Sequence, residues 1–180
     1  METEMKFTNS SGVVIENLAQ YIKDYFQKKK DSDSMGKYYE FHLYVGTDAL
    51  PAKRGSVIKY VTAITLYTKG MGGHVIYSKN NVNGKCEMER KLENETNYSI
   101  KTALYLTDNE VQKSVTVFEV HLDVNSDPTH KSYSMYKQLK GWAEGCGFIV
   151  KCKPDAPSAT HIADHIVREK KKKNKRVHYK

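Results

Sequence analysis

Three acidic residues of this chain stand where the fold could hold a carboxylate rigidly, which is the condition for divalent-metal chemistry. Asp48 closes the strand-like stretch "LYVGTDAL" (43–50), and Asp123 closes "SVTVFEVHLD" (114–123). An Asp at a strand end also serves as a turn cap, and "NSDP" follows Asp123 directly, so each alone reads either way. Two strands ending alike point to a shared site. Glu95 sharpens the reading. At about 100° per residue, Met88, Leu92, Ser99 and Leu106 form a narrow stripe that takes in Glu95. Glu87, Glu89 and Glu93 fall well off that stripe, as solvated acids should. A Glu on the core side is costly unless paired. A hydrogen bond to backbone, Arg90 or Tyr98 would satisfy it, and so would a metal shared with Asp48 and Asp123.

"THIADH" adds two further candidates, His161 and Asp164, on the flank of a helix whose buried face is Ala159, Ile162 and Ile166. A solvated helix face accounts for them equally; they also lie one turn apart and could reach a metal from the rim of a site. Oxygen donors without a thiolate pair suit Mg²⁺ or Mn²⁺ rather than structural zinc. Two such ions bridged by one Asp can activate water and stabilise the leaving oxygen of a phosphodiester. In that reading Asp48 is the bridge, Asp123 and Glu95 complete the cage, and Asp164 or His161 stands at its edge. A zinc site from His121, Asp123, His161 and His165 is the rival, because His161-x₃-His165 has helical ligand spacing. It lacks the Glu that a zincin carries beside the first His; Ile162 stands there.

The elements that must position these groups follow from periodicity. Residues 12–30 predict an amphipathic helix with Val14, Leu18, Tyr21, Ile22 and Tyr25 on one face and Ser10 or Ser11 as N-cap. "DSDSMG" (31–36) reads as a linker. Strands are expected at 38–47, 56–68 and 74–79, the last two joined by the glycine-rich turn "KGMGG". A helix from about 86 to 106, the strand 114–123, a helix over 132–146, a strand at 148–153 and a last helix after Ser158 complete the order. The second of these helices is expected to bury Met135, Leu139, Trp142 and Cys146. Three antiparallel strands followed by strands separated by helices imply a mixed sheet with parallel crossovers and helices on both faces. Sites in open α/β sheets gather at the carboxyl ends of strands, where Asp48 and Asp123 are expected.

Composition narrows the partners. The chain of 180 residues carries a net charge of +8, but residues 168–180 hold eight Lys or Arg against one Glu, leaving +1 for the rest. A basic terminal segment can steer a polyanion or simply solubilise. The 13 tyrosines include rings set beside basic residues in "KYYEFHLY" and "HKSYSMYKQ"; these suit base stacking or half-buried strand positions. Cys86, Cys146 and Cys152 form no CxxC, and with no signal-peptide pattern the expected setting is the reducing cytoplasm. No apolar run approaches the ~18–20 residues of a membrane span.

The stretches "YVGTDA", "GMGGHVIY", "ENETNYSI", "VHLDVN" and "GWAEGCGFIVKCKPDAPSATHIADH" resemble the YkuK-type family of ribonuclease H-like nucleases, within the ribonuclease H-like (retroviral integrase) superfamily. The resemblance runs from about residue 37 to 168. It implies an α/β ribonuclease H-like fold with a mixed five-stranded sheet, spanning 37–168 between an N-terminal helix and linker (1–36) and a basic tail (169–180). It also implies a two-metal site built from Asp48, Glu95, Asp123 and Asp164, acting on DNA or RNA. In that family a Ser often follows the first Asp, where this chain has Ala49. A ribonuclease H-like scaffold that binds nucleic acid or protein without cutting is the alternative.

Overall fold

The computed structural model describes residues 5–32, 39–51, 57–84 and 87–156. The expected last helix with His161, Asp164 and His165, and the basic tail, lie outside the described residues.

Long β-branched and aromatic runs make the central strands. β1 (Phe7–Asn9) and β2 (Val14–Ile15) form a small hairpin, followed by helix α1 (Leu18–Asp31). Then come β3 (Phe41–Pro51), β4 (Val57–Thr68), β5 (Gly72–Asn83), α2 (Met88–Asp108), β6 (Val117–Asn125), α3 (Tyr133–Gly145) and β7 (Ile149–Lys153). They build one mixed sheet of seven strands in the order β2-β1-β5-β4-β3-β6-β7. The β3–β6 and β6–β7 pairs are parallel, and the others antiparallel. The five strands expected are all present; β1 and β2 extend the sheet beyond them.

β2 replaces the first turn of the expected N-terminal helix, and β1 lies ahead of it. Asn9 Oδ1 accepts the backbone N–H groups of Ser11 and Val13, both at 3.0 Å, and Gly12 takes φ 87°, which closes a turn instead of opening a helix. The helix starts at Leu18, where Asn17 rather than Ser10 or Ser11 caps it by accepting Gln20 N–H at 3.0 Å. Val14 is consequently exposed on β2, and the buried face of α1 is Leu18, Ala19, Ile22 and Phe26. The turn between β4 and β5 is the expected one, with Gly70 and Gly72 at φ near 80°.

Register shows where the core sits. Val45 pairs with Ile64, which pairs with Ile76; on the other side Val45 pairs with Val120, which pairs with Val150. This row faces the helices. Leu43, Val45, Ile64, Leu66 and Ile76 pack on α1 and on Leu106 of α2. Val120, Leu122, Val150 and Cys152 pack on α2 and α3 through Leu92, Ile100 and Leu139. All three described α-helices therefore cover one face of the sheet, where the sequence predicts helices on both. On the opposite face Tyr44 stacks on His121, with ring centroids 4.8 Å apart, and Val61, Ala63 and Tyr77 form a small separate cluster. In α3 Ala143 takes the inward position expected for Trp142, which is 40% exposed. No helix among the described residues is long and apolar enough to cross a membrane.

Candidate metal centre

Asp48 and Asp123 lie within their strands and not at the ends, because β3 runs on to Pro51 along β4 and β6 runs on to Asn125. What ends near them is the ladder between β3 and β6. Its last pair is Gly46 with His121, and Asp48 and Asp123 each stand two residues further along. The two acids thus share one level on neighbouring parallel strands, just past the point where the strands stop pairing. Glu95 comes to them from α2, and one oxygen of each of the three residues lies within 4.8 Å of the others.

Buried hydroxyls fix that approach. Thr47 Oγ1 is 3.0 Å from Thr62 Oγ1, tying β3 to β4. The Ser99 hydroxyl lies between Thr47 Oγ1 at 2.9 Å and the Glu95 carbonyl at 3.0 Å, tying α2 to β3 one turn from the acid. Asp48 Oδ1 accepts the Ala49 N–H at 2.8 Å. The site therefore rests on rigid elements.

Glu95 has the site's most perturbed acidity. Its side chain is 3% exposed. Burial pushes its pKa up from 4.5 to about 8; Asp48 and Asp123 add to the rise, and Lys91 opposes it. Lys91 is the partner, in place of the Arg90 or Tyr98 expected from the sequence. Its ammonium lies 2.6 Å from Glu95 Oε1, 3.7 Å from Asp48 Oδ1 and 3.9 Å from Asp123 Oδ2. Burial works against its charge, but the three carboxylates outweigh it and hold the pKa above the ordinary lysine value. Tyr98 instead packs against Tyr60, ring centroids 5.2 Å apart. Lys153 adds an ion pair to Asp123. The signal for Lys91 was present in the sequence, since it precedes Glu95 by four residues on the same helix face.

Glu95 Oε2 is buried and has no hydrogen-bond partner among the described residues. A buried carboxylate oxygen without a partner calls for a cation or a proton. The donor set is all oxygen, which fits Mg²⁺ or Mn²⁺. Among the described residues the group that can hold an ion contains no histidine. His121 Nε2 lies 3.1 Å from Glu119 Oε2, and burial lowers the pKa of its ring. Asp164 and His161 lie outside the described residues, as does His165 of the zinc alternative.

Beside the acids opens a groove of about 440 Å³, lined among others by Lys91, Asp123, Asn125, His130, Lys131 and Lys153. Asp123 is the one carboxylate of this lining, set among Lys91, Lys131 and Lys153, with Met88 and Leu92 as its apolar side.

A family model described as Ribonuclease H-like matches residues 14–168. No curated protein and no solved structure matches the chain.

Proposed function

The chain belongs to the ribonuclease H-like family, and from that premise we propose that it is a divalent-metal-dependent nuclease acting on DNA or RNA. One observation carries the reading: carboxylates from three separate elements converge within 4.8 Å, and the buried Glu95 among them has an oxygen with no hydrogen-bond partner in the described residues. In this reading Asp48, Glu95 and Asp123 hold the metal, with Asp164 and His161 as the remaining ligands from the C-terminal part of the domain. Two Mg²⁺ or Mn²⁺ ions, when bound, activate the attacking water and neutralise charge on the leaving oxygen. The chain's own groups do the rest. Asp48 would hold the metal from its strand, while the Thr47–Ser99 contacts hold Glu95 at its distance from Asp48. Lys131 and Lys153 bind substrate phosphates along the groove. The domain is taken as 37–168, with β1, β2 and α1 of the stretch 1–36 packed on it and the basic tail 169–180 steering polyanions toward it. The free Cys146 and Cys152 suit a reducing cytoplasmic setting.

Lys91 and Lys153 already place positive charge against the acids, which favours a second reading, a binding module that cuts nothing. Cleavage of end-labelled DNA, RNA, hybrid and branched substrates with Mn²⁺, Mg²⁺ or EDTA separates the two. The nuclease reading expects metal-dependent cutting that disappears in folded Asp48→Asn and Asp123→Asn. A folded wild-type protein that binds these substrates and cuts none of them supports the binding module.

A further inference from the structure

Lys91 stands where the acid cluster needs a cation. Among the described residues it makes ion pairs with all three carboxylates, at 2.6, 3.7 and 3.9 Å. A magnesium ion sits about 2.0–2.1 Å from its oxygen ligands, and the three carboxylates converge within 4.8 Å. An ammonium and a divalent ion do not fit together in that space, and their charges repel. Entry of the metal therefore requires Lys91 to leave. It has a way out: it lies in the first turns of α2, its side chain is already 20% exposed, and it lines the groove that Lys131 and Lys153 also line. Its four-carbon stem can swing without moving the helix.

We propose that Lys91 is the resident counter-cation of the metal-free site, expelled into the groove when the divalent ion binds, where its ammonium joins Lys131 and Lys153 in holding substrate phosphate. This rests on the metal-dependent reading above. It makes Lys91 a binding residue that couples metal loading to polyanion binding: the empty cluster keeps an ammonium among its carboxylates, beside Lys153 on Asp123, and Lys91 turns that charge to substrate when the cluster is filled.

Two measurements on the full chain test it. Amine acetylation read residue by residue by mass spectrometry should find Lys91 protected in EDTA. In saturating Mn²⁺ it should be modified at least fivefold faster, with the exposed Lys69 as internal reference. Titration calorimetry with Mn²⁺ should show Lys91→Met binding at least tenfold more tightly than wild type, because no resident charge has to be displaced. If wild type binds Mn²⁺ but Lys91 is equally reactive with and without it, the proposal is overturned and the metal site stands. If wild type binds no divalent ion, the metal reading itself fails and the proposal with it. Should Lys91→Met not fold, the acetylation experiment on wild type decides alone.

Discussion

Glu95 joins structural cost to function in a single residue. Its carboxyl is raised from 4.5 to about 8 chiefly by burial, so between those values the folded chain binds a proton that the unfolded chain releases. The stability this group contributes is then fully present below about pH 4.5 and is lost as pH rises through about 8. The loss is on the order of a few kcal/mol, shared with the Lys91 pairing. Replacing Glu95 with Gln removes the charge and its burial cost together. The difference in Tm between Glu95→Gln and wild type, both in EDTA, should be small at pH 5 and grow in favour of the variant toward pH 8. Using the difference cancels His74 and His121, whose pKa values burial lowers and whose contributions run the other way. A pH-independent gap would show that burying this acid costs the fold nothing. Glu95 was legible in the sequence because a helical stripe exposes one misplaced charge. Lys91 was not singled out, although it stands one turn before Glu95, because a search for ligands passes over a cation.

The elements explain how three acids far apart in sequence hold one geometry. Besides the Lys91–Asp48 ion pair, α2 is tied to β3 beside the acids by the Ser99 hydroxyl, set between Thr47 Oγ1 and the Glu95 carbonyl. Ser99→Ala leaves the buried Thr47 hydroxyl one partner short, at a cost of about 1–2 kcal/mol. Urea denaturation should register that loss, while calorimetry shows Mn²⁺ affinity falling severalfold in a protein that still folds. Unchanged affinity would mean that Glu95 is held by its helix alone. Asn17→Ala is the matching control: losing the α1 cap costs about 1 kcal/mol but lies outside the site, so Mn²⁺ affinity should stay at the wild-type value. The central strands and α2 were legible because their apolar runs are long and strictly patterned. The β1–β2 hairpin was not. It is too short to show a period of two, and Val14 and Leu18 happen to fall at helical spacing, so Gly12 and β2 were absorbed into the helix.

At the scale of the whole molecule, the site depends on a register that no local pattern encodes. Asp48 and Asp123 meet because β3 and β6 pair in parallel from His42 with Val117 to Gly46 with His121, then stop. Local pattern gives the two acids similar surroundings; only the ladder places them at one level. Charge is distributed just as unevenly. Residues 1–167 carry +1 and residues 168–180 carry +7, so in the proposed function attraction of a polyanion at a distance would fall mainly to the terminal segment and phosphate binding at short range to the groove. The two contributions separate by salt. Deleting 169–180 should weaken binding of an oligonucleotide and flatten the dependence of log affinity on log salt, since every phosphate no longer neutralised takes roughly 0.7–0.9 off the slope. Mn²⁺ affinity should not change, because Asp48, Glu95 and Asp123 all lie outside the deleted segment. If the deletion leaves the salt slope as it was, phosphate binding belongs to the groove, and Lys131→Ala with Lys153→Ala should flatten the slope in its place.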